Sequence, residues 1–171
     1  LTYSLVSNGQ SSSQHNSSFT VSGTQILTAA AIDYETTSTL NLKIQVSDGT
    51  STYQEAFTVY VNDVNDNAST DLAVSTSTFA ESVTSGTAVA SITTTDPDSS
   101  AVNSFTYSLI SGNGTNDGDN SSFTISGPSL VTSGTFNYET KSLLKVYLQV
   151  NDGVASYAKA LTLTVSDVNE T

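Results

Sequence analysis

The chain repeats itself with an offset of 104 residues and without a gap. Residues 1–67 and 105–171 share 29 identical positions out of 67. The clearest matches pair residues 17–23 with 121–127, and residues 45–49 with 149–153. Because a sequence that returns at a fixed spacing folds into the same unit each time, the chain is predicted to contain two copies of one domain.

The two copies are unequal in length, because most of residues 68–104 have no counterpart in the first copy. We therefore place an incomplete repeat, which lacks its first strands, at residues 1–67 and a complete repeat at residues 68–171. The chain is expected to begin in mid-repeat and to be part of a longer array of such domains.

Both copies contain segments in which apolar and polar residues alternate, as they do in a strand with one face in the core. Four such segments are clear, at residues 40–46, 57–61, 144–150 and 161–165. Further strands are predicted near residues 75–81, 88–95, 104–110, 122–126 and 129–133. The Asp-Gly pairs at 48–49 and 152–153 each stand between two strands, as hairpin turns do.

The number of strands predicts the fold class. The second copy has seven predicted strands, which is the number in an immunoglobulin-like sandwich. The first copy retains the last five of them, starting at Thr2. No segment has the periodicity of an amphipathic helix. The predicted class is all-β, with tandem immunoglobulin-like Greek-key β-sandwiches of seven strands per complete repeat.

The composition excludes several classes of function. The chain has 16 acidic residues against 4 basic ones, so it lacks the clustered cations that contact nucleic acid. With no Cys and one His, disulfides, thiolate metal sites and Ser-His-Asp triads are excluded, and no enzymatic activity is predicted. No apolar run approaches the roughly 20 residues of a membrane-spanning helix, so membrane insertion is not expected.

Most of the acidic residues lie at the ends of the predicted strands. Three short motifs contain many of them: Asp33-Tyr34-Glu35, Asp63-Val64-Asn65-Asp66-Asn67 and Asp96-Pro97-Asp98. Since one copy ends and the next begins near residues 62–70, several carboxylates are expected to converge there. Carboxylates in contact repel by about 1 kcal/mol per pair or more. A hard divalent cation relieves this repulsion, and Ca²⁺ takes about six to eight oxygen ligands.

In this order, and followed by Asp152, the motifs resemble the joint between tandem cadherin-type repeats, such as those of large bacterial surface adhesins. The resemblance covers both copies and implies Ca²⁺ as the cofactor. The ligands that it implies are Asp33, Glu35, Val64, Asn65, Asp66, Asn67, Asp96, Asp98, Asn103 and Asp152.

The resemblance also implies a role for each ligand. Glu35 and Asp66 are expected to bridge two ions, the first of which Asp33 also holds. Asp98 is expected to link the second ion to a third. The other ligands expected for the third ion are Asn65, Asp96 and Asp152. Backbone carbonyl ligands are expected from Val64, Asn67 and Asn103. Asp63 is left open between a ligand and a hydrogen-bonding cap for the linker.

Two other parts of the pattern are expected to bind an ion weakly or not at all. Glu81 is expected to serve the next joint with Glu139 and Glu170, but Asn137 replaces an Asp there and residues 169–171 depart from the linker motif. The loop at 112–120 lacks the closing Glu of an EF-hand and is predicted to be solvated. His15 lies in the matching loop of the first copy and is predicted to be exposed and without a role.

The preferred interpretation is a calcium-rigidified extracellular repeat module of an adhesin or surface filament. Its composition favours the cell surface or exterior, and a bacterial source. Its expected partners are neighbouring repeats of the same chain or filament, and surface polysaccharide or another cell. The alternative is a calcium-dependent carbohydrate-binding module of a secreted protein, which the absence of Trp disfavours. A hydrolase with paired carboxylates is disfavoured because ion binding explains the acids better.

Overall fold

The computed structural model describes residues 1–169 and divides the chain into two compact units, Leu1–Val64 and Asn65–Thr171. The strands of the first unit are β1 (Thr2–Leu5), β2 (Phe19–Ser22), β3 (Gln25–Thr28), β4 (Thr39–Ser47) and β5 (Thr52–Tyr60). Those of the second are β6 (Asp71–Val74), β7 (Thr78–Ala80), β8 (Ala88–Thr95), β9 (Thr106–Leu109), β10 (Phe123–Ser126), β11 (Ser129–Thr132), β12 (Leu143–Asn151) and β13 (Ser156–Ser166).

The helical content is small. It consists of single 3₁₀ turns at Ser11–Ser13, Asn16–Ser18 and Asn120–Ser122. Within residues 1–169, no helix has the length and apolar character needed to cross a bilayer. The predicted all-β class is therefore confirmed.

The second unit is a sandwich of two four-stranded sheets. One sheet has the order β10-β11-β8-β6 and the other has the order β7-β13-β12-β9. Alternate residues of β12 face the space between the sheets, where Leu144, Val146, Leu148 and Val150 are buried. This alternation is the one read from the sequence, and it is what makes β12 a strand with a single core face.

The second unit contains one strand that was not predicted from the sequence. The strand predicted near residues 75–81 corresponds to β7, which pairs parallel with β13, whereas β6 precedes it and pairs antiparallel with β8 in the other sheet. Within the described residues, the second unit therefore has eight strands instead of seven. Leu72 of β6 and Phe79 of β7 are both buried, so each of these strands contributes to the core from its own sheet.

The two long hairpins turn as predicted. In the second unit β12 and β13 are joined by residues 152–155, and Gly153 has φ of +104°, a left-handed conformation that favours glycine. In the first unit Gly49 has φ of +93° in the equivalent turn. The Asp before each glycine accepts hydrogen bonds from backbone N–H groups of its own turn.

The first unit consists of a three-stranded sheet, β1-β4-β5, and the hairpin β2-β3. It has only part of a core, because Leu40 and Leu42 of β4 are buried whereas every residue of β5 is exposed. In the second unit, strands β6, β7 and β8 cover the matching surface.

The long loops before β2 and β10 are held to the neighbouring sheet in the same way. The N–H of Asn41 in β4 donates to Nδ1 of His15 at 2.9 Å, and the N–H of Lys145 in β12 donates to Oδ2 of Asp119 at 2.8 Å. Asp119 is buried and also forms an ion pair with Lys141 at 2.6 Å. The prediction of an idle His15 was therefore wrong. The loop at 112–120 is largely exposed, as predicted, except at Asp119.

The difference between the two cores predicts a difference in local stability. We expect the amides of β4 and β5 to exchange with solvent at least about tenfold faster than those of β12 and β13, because less apolar surface must be exposed to open the first unit. Hydrogen exchange of the monomeric chain, resolved by residue, measures this directly. Equal protection of the two hairpins would contradict it.

Candidate metal centre

Asp152 organises one end of the second unit. Its side chain is 1% exposed. Oδ1 accepts hydrogen bonds from the N–H groups of Val154 and Ala155 at 2.8 and 2.7 Å. Oδ2 accepts hydrogen bonds from the N–H and the hydroxyl of Ser69 at 2.9 and 3.2 Å. The carboxylate thus ties the β12–β13 turn to the segment that leads into β6.

Asp96 and Asp98 follow β8 and lie at the same end of this unit. The carboxylate of Asp98, which is 4% exposed, accepts hydrogen bonds from the N–H and Nδ2 of Asn67 at 3.0 and 2.8 Å. Oδ1 of Asp96 accepts one from the N–H of Asp98 at 3.0 Å, and Oδ2 accepts one from the hydroxyl of Ser69 at 2.8 Å. Residues 67–69 therefore hold three carboxylates together.

Two buried amide oxygens complete this arrangement. Nδ2 of Asn65 donates to the carbonyl of Asp152 at 2.6 Å, and Nδ2 of Asn103 donates to the carbonyl of Asp98 at 3.1 Å. Oδ1 of each amide is buried and has no hydrogen-bond partner in the part of the chain that the structure describes. A buried polar atom without a partner costs about 1–3 kcal/mol. Carboxylate and amide oxygens are the ligands that Ca²⁺ prefers, so these residues fit the implied ion.

The second unit thus brings together six of the sequence-predicted ligands, namely Asn65, Asn67, Asp96, Asp98, Asn103 and Asp152. Asp66 is exposed, and its Oδ1 accepts a hydrogen bond from Nδ2 of Asn67 at 2.9 Å. Ser69 links Asp96 to Asp152 and was missed, because a serine in a linker carries no signal before the fold is known. Asn103 was expected to contribute its carbonyl, but it is its side-chain oxygen that is buried and lacks a partner.

The remaining predicted ligands belong to the first unit. Oδ1 and Oδ2 of Asp33 accept hydrogen bonds from the N–H and the hydroxyl of Thr36 at 3.1 and 2.9 Å, and these bonds hold the pKa of Asp33 below its ordinary value. Glu35 and Asp63 present carboxylate oxygens within 4.8 Å of each other. Val64 is exposed and is the last residue of this unit. Asp63 therefore lies beside the predicted ligand Glu35, and its own role, as a ligand or as a cap for the linker, stays open.

A second group of acids lies elsewhere in the second unit. Carboxylate oxygens of Glu81, Glu139 and Asp167 lie within 4.8 Å of one another. Glu81 is buried, and its two oxygens accept hydrogen bonds from the N–H groups of Tyr138 and Val168 at 2.7 and 2.8 Å. It therefore joins two chain segments without needing an ion. Glu170, which was predicted to contribute here, lies outside the described residues.

The environment of Asp152 makes stability depend on pH. Burial alone raises the pKa of this carboxyl, but the hydrogen bonds from Ala155, Val154 and Ser69 outweigh it and lower the pKa from 3.8 to about 2. The unfolded chain then binds this proton more tightly than the folded one. The stabilisation, on the order of 2 kcal/mol, is complete above about pH 5 and is lost as the pH falls toward 2.

We expect the metal-free second unit to show this loss in a denaturation series between pH 5 and pH 2. Ser69→Ala removes one donor, so it should raise the pKa of Asp152 and move the loss to higher pH. Asp48 in the equivalent turn of the first unit is exposed, and backbone hydrogen bonds from Ser51 and Thr50 also lower its pKa. It serves as the internal reference for a turn carboxylate that, among the described residues, has no counterpart of the Ser69 hydrogen bonds. A carboxyl resonance of Asp152 that titrates at its ordinary pKa would contradict the prediction.

The fold is similar to that of solved cadherin domains. Extracellular cadherin domains 3–6 of protocadherin gamma B2 match with a TM-score of 0.63 at 22% sequence identity, covering 99% of this chain and 40% of that one. Domains EC1-2 of human protocadherin-24 match with a TM-score of 0.61 at 24% identity, covering 99% of this chain and 82% of that one. The expected cadherin-like repeats and β-sandwich fold are therefore confirmed.

A sequence relative agrees with the structural matches. The chain is 31% identical to human protocadherin-23 over an alignment of 156 residues, and the match covers 85% of this chain and 4% of that protein. The chain therefore spans a small part of this relative. No protein-family model matches the chain. The similar domains are cadherin domains and not enzymes, in agreement with the predicted non-enzymatic module.

Proposed function

Because the chain is built of cadherin-like repeats, we propose that it is an extracellular adhesion module whose repeats are stiffened by Ca²⁺ at the joint between them. The proposal combines the fold with the order of the acidic motifs along the chain. The adhesion role and the location outside the cell are carried over from the similar protocadherin domains.

One observation carries the calcium assignment. Asn65 and Asn103 each bury an amide oxygen that has no hydrogen-bond partner among residues 1–169, while their amide nitrogens are bonded to the backbones of Asp152 and Asp98. If hydrogen bonds alone stabilised this region, two buried oxygens without partners would only destabilise it. A bound ion that takes oxygen ligands would compensate for their burial.

When bound, Ca²⁺ supplies the positive charge that the chain otherwise lacks near its linker. The second unit offers Asn65, Asp66, Asn67, Asp96, Asp98, Asn103 and Asp152 as ligands, and the first unit offers Asp33, Glu35 and Val64. Residues 67–69 preorganise the carboxylates of Asp96, Asp98 and Asp152 by hydrogen bonds. We propose that this preorganisation lets the ion join the repeats without first rearranging the second one.

Partners and source follow the same reasoning. We assign neighbouring repeats of the same chain or filament as partners, whereas surface polysaccharide and other cells stay predictions from the sequence. The composition favoured a bacterial surface. Protocadherin-23 and protocadherin-24, which the chain resembles, are human proteins and lend no support to a bacterial source.

The carbohydrate-binding alternative would gain support from a flat strip of exposed tyrosines. Tyr3 and Tyr53 are exposed and flank Val46 in the sheet of the first unit. Their counterparts in the second unit, Tyr107 and Tyr157, pack against the core. The two tyrosines are therefore better explained as part of an uncovered core face than as a platform for a sugar.

Calorimetric titration of the whole chain with Ca²⁺ tests the proposal. We expect binding with a dissociation constant of about 10⁻⁴–10⁻³ M, as in other extracellular modules. Asp98→Asn should weaken it at least about tenfold, since it removes charge at a buried ligand while keeping the shape. Asp117→Asn is the matched control, because Asp117 also accepts two backbone hydrogen bonds but lies in none of the ligand motifs. Absence of binding heat in millimolar Ca²⁺ would overturn the calcium assignment.

Stiffening needs a separate measurement. The chain has no Cys, so spin labels can be placed at the equivalent exposed positions Thr20 and Thr124 by substitution with Cys. We expect the distribution of distances between the labels to narrow when Ca²⁺ is added, and not to narrow in Asp98→Asn. A distribution that Ca²⁺ leaves unchanged would refute stiffening even if the ion binds.

A further inference from the structure

The loop at residues 6–16 continues the edge of β4 where β1 ends. The pairing of β1 with β4 ends at Leu5 and Ile44. Further along β4, His15 takes the place of a paired strand residue. Its N–H donates to the carbonyl of Asn41 at 3.0 Å, and its Nδ1 accepts a hydrogen bond from the N–H of Asn41 at 2.9 Å. His15 therefore satisfies both backbone groups of Asn41, as a neighbouring strand does.

The second unit has the same two-point contact with a different acceptor. The N–H of Asp119 donates to the carbonyl of Lys145 at 3.0 Å, and Oδ2 of Asp119 accepts a hydrogen bond from the N–H of Lys145 at 2.8 Å. With the offset of 104 residues, Asp119 corresponds to His15 and Lys145 to Asn41. One position of the repeat thus carries an imidazole in the first unit and a carboxylate in the second, in the same structural role.

The two acceptors differ in their response to acid. A ring nitrogen of histidine accepts a hydrogen bond only while it is unprotonated, and protonation turns it into a donor. An Nδ1–H group on His15 then faces the N–H of Asn41, which leaves two donors without an acceptor. Histidine side chains gain this proton between about pH 8 and pH 5, whereas carboxylates stay ionised down to about pH 4.

We propose that His15 is an acid-sensitive clasp: protonation of its ring releases the N–H of Asn41 and opens the loop locally at His15, while the equivalent clasp at Asp119 stays closed. The rest of the loop is held by Asn16, whose side chain bonds to the N–H of Lys43 and to the carbonyl of Val6, both at 2.9 Å. The residue at this one position therefore decides whether a repeat responds to mild acid. The proposal does not depend on calcium binding.

Other ionisable side chains around the loop do not titrate in this range. Of the strands that contact the 3₁₀ turns on either side of His15, β2 has no ionisable side chain, β4 has Lys43, and β5 has Tyr53, Glu55 and Tyr60. Lys and Tyr side chains ordinarily titrate above about pH 9, and Glu side chains near about pH 4. Between residues 6 and 18 the loop has no ionisable side chain except His15.

The turn before Thr37 carries the other acids of this region. Asp33 accepts hydrogen bonds from Thr36, and the carboxylate of Glu35 lies within 4.8 Å of that of Asp63. Carboxylates keep their charge through the range in which histidine titrates. The response to mild acid is therefore assigned to the imidazole.

Hydrogen exchange of the whole chain, followed by NMR at about pH 7.5 and about pH 5, tests the proposal. Protection factors are compared, because they remove the intrinsic effect of pH on exchange. We expect that of Asn41 to fall at least about fivefold in acid, because its hydrogen bond is lost. The amide of Lys43 should keep its protection factor, since it donates to the amide oxygen of Asn16, which does not titrate. The amide of Lys145 is the matched reference in the second unit and should also stay unchanged.

An exchange between the repeats separates the ring from its surroundings. In the second unit Asp119 forms an ion pair with Lys141, whose equivalent in the first unit is Thr37. The double variant His15→Asp with Thr37→Lys rebuilds this arrangement in the first unit. The protection factor of Asn41 should then be the same at both pH values.

Three outcomes would overturn the proposal. The first is a protection factor of Asn41 that does not change in the unmodified chain, which needs no variant to fold. The second is an equal fall at Lys43, because it would indicate opening of the whole unit instead of release at His15. The third is an acid response of Asn41 that persists in His15→Asp with Thr37→Lys, because it would assign the response to another group.

Discussion

Leu148→Ala is expected to lower the free energy of unfolding of the second repeat by about 2–5 kcal/mol, the range for removing a fully buried leucine. Leu148 is 1% exposed and packs with Val150, Leu72 and Ile92 from three different strands. The cavity cannot close easily, because its walls belong to both sheets. Denaturation followed by resonances of each repeat separately measures the change.

The internal repeat supplies a matched control for this prediction. Ile44→Ala truncates the equivalent side chain of the first repeat, where the residue is only partly buried. We expect a loss of about 1 kcal/mol or less there, since less apolar surface is removed from water in the folded state. Equal losses at the two positions would mean that the first repeat has a closed core in solution.

Much of the fold could be predicted because strand patterns are local. The alternation of Leu144, Val146 and Leu148 specifies a strand and its buried face without knowledge of any partner. Strand β6 could not be predicted in this way. It is only four residues long, and both it and β7 are defined by pairing with strands that lie further along the chain.

The candidate site, too, could be predicted from the sequence only where its residues form local motifs. The order of the acidic motifs suggested Asp96, Asp98 and Asp152 as ligands, and the second unit brings them together around residues 67–69. Ser69 gave no signal, since its importance comes from contacts with two carboxylates that the fold places beside it. His15 was misjudged for a similar reason, because a loop histidine gains its role only when its ring accepts a hydrogen bond from β4.

Ca²⁺ is expected to raise the thermal stability of the chain strongly, whereas Mg²⁺ should raise it only slightly. With a dissociation constant of about 10⁻⁴ M, 2 mM Ca²⁺ stabilises the folded state by about 2 kcal/mol for each site. For a domain of about 100 residues, this corresponds to an increase in Tm on the order of 10 °C. Mg²⁺ at the same concentration should do little, because it prefers a tight octahedron and keeps its waters.

The physical reason for this stabilisation lies in the two orphaned amide oxygens and the carboxylates near them. Without an ion, the folded chain bears the cost of burying Oδ1 of Asn65 and of Asn103. Asn103→Ala removes one of these oxygens, so it should reduce the calcium-dependent rise in Tm. In the metal-free protein, relief from the unpaired oxygen and loss of the hydrogen bond from Nδ2 to the carbonyl of Asp98 oppose each other, so Tm should change little. Thermal denaturation in EDTA, Ca²⁺ and Mg²⁺ separates the two quantities. If Asn103→Ala left the calcium-dependent rise intact, the oxygen would not be a ligand, and if Ca²⁺ and Mg²⁺ raised Tm equally, the effect would be general charge screening instead of coordination.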